Sequence, residues 1–126
     1  MYDKEIDKLK EMRDAEAAVV DKYYAKLEAE KKALSGYGVT FDERGNINNY
    51  EEIYKKMIDE YNAVQIKYAN EDSEIAQNAL DNAEERFKEF EDSLSNYSEY
   101  HDSYLDKYNA LLDRDYEISK KGLERI

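Results

Sequence analysis

The residues best placed to do chemistry are Asp42, Asn46 and Asn48, oxygen-bearing side chains gathered around Gly45 in the run Asp42-Glu43-Arg44-Gly45-Asn46-Ile47-Asn48. A calcium loop of the EF-hand kind uses such residues, with oxygen ligands at its first, third and fifth positions, glycine at the sixth and glutamate at the twelfth. Counted from Asp42, the third position is Arg44 and the sixth is Ile47. A cation and a branched apolar residue stand where a ligand and a tight turn are needed, so the run reads as a hairpin turn. His101 is the single histidine. A zinc site or a catalytic triad needs partners for it that the sequence does not supply, and it reads as a packed helix position between Tyr97 and Tyr104. The carboxylates show no enclosed pair of the kind acid–base catalysis uses and read as solvated helix faces. No glycine-rich phosphate loop, nucleophile elbow or metal-ligand spacing is present. The expectation is therefore no enzyme, no catalytic residue, no cofactor and no metal.

Composition narrows the classes further. The chain has 126 residues, 31 acidic and 19 basic side chains, a net charge of −12 and no cysteine, proline or tryptophan. So acidic a chain does not gain by neutralising phosphates, and direct nucleic-acid binding is not expected. The acid is unevenly placed: residues 71–126 are strongly acidic whereas residues 1–35 are nearly balanced. Without cysteine there is no disulfide framework. No apolar run approaches the ~20 residues of a membrane span, and the N-terminal sequence lacks the apolar core of a signal peptide. The pattern starts in mid-helix with no N-cap before Tyr2, as expected for a segment excised from a longer chain.

The elements that carry these residues are helical. Charged residues are 40% of the chain and mean hydropathy is −1.03, values that suit elongated helices burying one narrow stripe each. A helix is expected over about 2–35, with Tyr2, Ile6, Leu9, Val20, Tyr23, Leu27 and Leu34 on one alternating four-three register that Arg13, Glu16 and Glu30 also occupy. Ser35-Gly36 ends it, with Gly36 suited to the left-handed position after a helix. A small β-hairpin is expected over about 37–48: Val39, Thr40 and Phe41 favour strand, and Asp42 to Gly45 suit a type I turn closed by a glycine bulge. A second helix over about 49–126 starts at Asn48 or Asn49, with Asn49 and Glu52 forming a capping-box-like start. Its rhythm slips at 70–73, by either a change of supercoil phase or a break capped by Asn70, Asp72 or Ser73.

The architecture expected is mainly α: one elongated fragment of long helices in a coiled-coil or helical-hairpin arrangement, with the hairpin between the first and second helix. Unbroken, the second helix would be about 115 Å long and the first about 50 Å. That mismatch leaves a seam uncovered: Phe87, Phe90, Leu94, Tyr97, His101, Tyr104, Tyr108, Leu111 and Ile118. Either the chain folds back near 70–73 into a three-helix bundle or copies associate through this seam; self-association is the reading preferred here, because nothing after Ser73 is a strong turn.

Residues 33–63, ALSGYGVTFDERGNINNYEEIYKKMIDEYNA, resemble a block that recurs in tail tape measure proteins of long-tailed bacteriophages and prophages. The match rests on Tyr37, Gly38, Val39, Thr40, Phe41, Asp42, Gly45, Asn46, Ile47, Asn49, Tyr50, Glu52 and Ile53. The resemblance implies a structural coiled-coil segment, part of a rod whose length sets the length of the tail tube. The partners it implies are further copies, tube subunits and assembly proteins, and the place is the virion tail, assembled in the bacterial cytoplasm. No catalytic residues come with this block. The rival from the residues alone is a coiled-coil protein-binding or adhesin-like module of a bacterial surface or scaffold protein.

Overall fold

The computed structural model describes residues 2–123, with side chains from 4 to 123. It is mainly helical: α1 (Tyr2–Ser35), α2 (Tyr50–Tyr68) and α3 (Glu74–Leu123). Tyr2, the first residue of the expected α1 stripe, has its side chain outside the described set. The chain divides into two compact units: one of residues 1–29 and 98–126, the other of residues 30–97.

In the first unit α1 packs on the C-terminal part of α3. Glu5 pairs with Lys121, Arg13 with Asp115, Tyr24 with Tyr104 and Lys26 with Tyr100. Rising numbers on α1 meet falling numbers on α3, so the two helices run antiparallel. The four-three stripe of α1 is its buried face here: Leu9, Val20 and Leu27 are buried, and Ile6, Glu16 and Tyr23 half-buried. Heptad positions a (Ile6, Arg13, Val20, Leu27) and d (Leu9, Glu16, Tyr23) form the seam, as in antiparallel coiled coils.

In the second unit α2 packs on the N-terminal part of α3. Tyr54 reaches Phe87, Phe90 and Glu91, Tyr61 stacks on Phe87 and Glu60 meets Arg86, again an antiparallel order. Ile53, Met57, Ala76 and Phe90 are buried in this unit. The reversal that allows this is the turn at 69–73. Glu71 N–H donates to the Tyr68 carbonyl at 3.2 Å and closes α2. Ser73 Oγ then accepts the Ala76 N–H at 3.1 Å and its carbonyl accepts Gln77 N–H at 3.0 Å, an N-cap for α3. The slip in rhythm between Tyr68 and Ala76 is thus a chain reversal, and the helix expected to run over 49–126 is two helices.

Two local expectations are corrected. Gly36 is not the left-handed residue after α1: among the described residues the positive φ angles are at Gly38 (97°) and Gly45 (84°). Gly38 N–H donates to the Ser35 carbonyl at 3.0 Å and Val39 N–H to the Leu34 carbonyl at 3.2 Å. That pair of bonds is a Schellman motif with Gly38 at the left-handed position, and its apolar clasp is Leu34 and Val39, both buried. α1 thus ends at Ser35, as expected, and the left-handed turn that closes it comes at Gly38.

The β-hairpin is the second correction, because no strands form among the described residues. What exists is one antiparallel bridge between Phe41 and Ile47. The turn inside it is as expected: Gly45 N–H donates to the Asp42 carbonyl at 3.0 Å, and Asp42 N–H to the Asn46 carbonyl at 2.8 Å. Beyond the bridge the ladder has one more bond, Asn48 N–H to the Thr40 carbonyl at 2.9 Å. Asn49 then takes the place of a further rung: its Oδ1 accepts Thr40 N–H at 2.9 Å and its Nδ2 donates to the Gly38 carbonyl at 2.9 Å. Committed to that task, the Asn49 amide does not cap α2, which has no side-chain N-cap bond. The second arm is too short for a strand because α2 starts at Tyr50.

Candidate interaction site

The run 37–49 is held down by aromatic rings of α3 in the second unit. Tyr37 meets Phe90 edge to face at 5.2 Å, and Phe41 lies 4.9 Å from Tyr97. The Tyr97 hydroxyl donates to the Gly45 carbonyl. Cations close the outer sides, with the Arg86 guanidinium 5.1 Å from the Tyr37 ring centre and Lys31 Nζ 5.3 Å from that of Phe41. Each aromatic of this run that the sequence pattern singled out thus has a ring or cation partner on α1 or α3.

Asp42 holds the tip. Its Oδ1 accepts the N–H of Asn46 at 2.9 Å and of Arg44 at 2.8 Å. The bond from Asn46, then that from Arg44, keeps its carboxyl below the ordinary aspartate range. Those two acceptor bonds are structural; Asp42 spends its oxygen on backbone N–H groups in the manner of an Asx turn.

The seam residues divide between the two units. In the second, Phe90 and Tyr97 are buried, and Phe87 and Leu94 half-buried. Phe87 sits 5.8 Å from Tyr54 and 5.7 Å from Tyr61. Burial, then the hydrogen bond to Glu91, pushes the Tyr54 hydroxyl above its usual pKa. In the first unit His101, Tyr104, Leu111 and Ile118 are half-buried and Tyr108 is exposed. Tyr104 lies 5.7 Å from Tyr24 and 5.9 Å from Tyr108, and burial, ahead of its neighbours' charges, pushes its pKa up. The apolar seam that seemed to want a second molecule is thus largely used inside the chain: α2 and the run 37–49 cover its first part, and α1 packs along the rest.

Polar groups on the seam went unassigned in the sequence, although their register positions were visible. Arg13 Nε donates to Asp115 Oδ1 at 2.7 Å, and that bond raises the Arg13 pKa. Arg114 bridges Glu16 and Glu117 at 3.2 and 2.9 Å. In the second unit Asn96 Nδ2 donates to Glu30 Oε1 at 3.4 Å. Arg13, Glu16 and Glu30 interrupt the apolar stripe of α1, and each meets a polar partner on α3. Such pairs cost desolvation and fix which residues face each other.

Among the described residues no group of three or more histidine, cysteine or acidic side chains is close enough to hold a metal ion. No described helix is long and apolar enough to cross a membrane. No family model, curated protein or solved structure matches the chain.

Proposed function

We propose that the chain is a structural coiled-coil segment of a tail tape measure protein of a long-tailed bacteriophage or prophage, contributing to the rod that sets tail length during assembly in the bacterial cytoplasm. The observation that supports this reading is the fate of the block that resembles that family's. Its glycines, Gly38 and Gly45, take the two positive φ angles. Its aromatics Tyr37 and Phe41 lock onto Phe90 and Tyr97 of α3, and its Asn49 replaces a backbone rung. Residues that carry the resemblance are thus among those that build a helix-ending node. The role is structural and asks for no cofactor. Its partners would be tail tube and assembly proteins.

The test is tail length. An in-frame duplication of residues 50–123 in the parent gene is expected to give measurably longer tails by electron microscopy. Tails of unchanged length would refute the reading. A protein-binding or adhesin-like module is the second reading, favoured by the exposed apolar side chains Leu105, Leu112 and Tyr116 on α3. A secretion signal or wall anchor on the parent chain would support it over the first.

A further inference from the structure

The exposed apolar side chains are concentrated in the first unit, and they lie on two sides of the α1–α3 pair that differ in charge. Contacts define the sides. Lys26 meets Tyr100, and Glu5 meets Lys121, across heptad positions g of the two helices. Tyr24, at position e of α1, meets Tyr104 across the other side. A cleft lined by Lys10, Asp14 and Ser119 lies on that same e side.

The e side is acidic. Asp7, Asp14, Asp21 and Glu28 recur at every b position of α1 in this unit, Asp102 joins them from α3, and the cations among them are Lys10 and Arg13, which pairs with Asp14. Between these carboxylates lie Tyr24, Leu105, Leu112 and Tyr116, exposed by 42–70%. The g side is basic. Lys8, Lys22, Lys26 and Lys107 are exposed there, beside Arg114 and Lys121, while Glu5 and Glu117 are its carboxylates. Met12 and Val19 are the apolar residues of that side, 40% and 38% exposed.

We infer that the acidic e side of one copy docks on the basic g side of a second copy of this chain. Each side has exposed apolar side chains within a border of one sign, and the signs are opposite. A contact of like sides, as a two-fold axis requires, would set Asp7, Asp14 and Asp21 against themselves, or Lys8 and Lys22 against themselves. Unlike sides meet only in a heterologous contact, which closes into a ring or continues as a filament. The levels also match. Asp7 and Lys8 are chain neighbours on opposite sides, as are Asp21 and Lys22. A second copy set alongside in the same direction, without axial shift, therefore brings its Lys8 to Asp7 and its Lys22 to Asp21. This surface is not the seam of Phe87 to Ile118, which is occupied within the chain, and the inference does not rest on the tape measure reading.

The experiment is a charge-reversal exchange on the full chain, read by light scattering and sedimentation in low salt. Wild type is expected to associate, and to dissociate as sodium chloride screens the contact. Lys8→Glu with Lys22→Glu puts carboxylates on both sides at these two levels; Asp7→Lys with Asp21→Lys puts ammonium groups on both sides there. Each double variant alone is expected to be monomeric with an unchanged far-ultraviolet helix signal, because all four positions are exposed. Mixed, the two are expected to associate again, and the fourfold variant, with its charges exchanged at both levels, is expected to associate by itself. A monomeric wild type at low salt, variants that associate alone as well as wild type, or a mixture that stays monomeric would each overturn the inference.

Discussion

At Gly38 the chain takes φ +97°, and an added Cβ would stand 3.3 Å from Ile53 Cδ1. A left-handed angle costs an L side chain about 1 kcal/mol before any crowding is counted, and Ile53 is a buried side chain with little room to yield. Gly38→Ala is therefore expected to destabilise the fold by ~1–2 kcal/mol in urea unfolding. Gly122 supplies the contrast: a Cβ there meets nothing within 4 Å. Gly122→Ala in the last turn of α3 is expected to stabilise by up to ~1 kcal/mol, less to the extent that this end frays. If Gly38→Ala were neutral, the Schellman ending of α1 would be wrong. Asp42 gives the residue scale a pH signature. Its bonds from Asn46 and Arg44 hold the folded carboxyl below its usual pKa. A depressed carboxyl contributes stability that is complete above the unfolded value, about 3.9, and is lost as pH falls through the lower folded value. The amide resonances of Arg44 and Asn46 should thus keep their neutral-pH positions through pH 5 and move only in stronger acid. A midpoint at or above the ordinary aspartate value would remove Asp42 from the turn.

The elements show why some of this is visible in the sequence and some is not. The buried stripe of α1 was legible because a four-three rhythm is local, and Leu9, Val20 and Leu27 bury where it places them. The turn at Asp42–Gly45 was legible for the same reason, its bonds closing within the turn itself. The end of α1 at Ser35 was legible, but the left-handed residue after it was misplaced by two positions because Gly36 and Gly38 both permit that angle, and the turn at Gly38 is the one that brings Val39 to Leu34. Asn49 was misread because its partners, Thr40 and Gly38, lie across the loop rather than on the next turn of helix. The partner of Phe87 and Phe90 was hidden behind a reversal that uses neither glycine nor proline. At 69–73 the chain turns by ending α2 on Tyr68 and restarting on Ser73. That restart can be tested. Ser73→Ala removes the acceptor of the Ala76 N–H beside a buried Ala76, and is expected to cost ~1 kcal/mol. Its amide exchange should quicken at Ala76 and Gln77 first. Equal protection in the variant would mean that α3 needs no cap there, and that the apolar contacts of α2 alone enforce the reversal.

For the molecule as a whole the deciding quantity is charge. The net charge is −12, and self-repulsion of that sign opposes the compact state. Ion pairs oppose the repulsion, but Arg13–Asp115, Arg86–Glu60 and Lys121–Glu5 are largely solvent-exposed, and such pairs contribute about 0–1 kcal/mol each. Screening acts on both terms. The repulsion involves every unpaired carboxylate over distances near the Debye length, about 10 Å at 0.1 M salt, whereas the pairs are few and in contact. The repulsive term should lose more, so sodium chloride is expected to stabilise the single chain while it weakens the docking of copies. The two effects separate in the Lys8→Glu, Lys22→Glu variant, which is more acidic and does not dock. Raising salt from about 10 to 150 mM should lift its melting temperature by a few degrees, roughly the shift that ~1 kcal/mol gives in a chain of this size. Wild type at a concentration where it docks should gain less, because it loses the stabilisation that association supplies as the salt rises. A variant whose melting temperature fell with salt would show that the ion pairs, Arg13–Asp115 and the Arg114 bridge foremost, outweigh the repulsion.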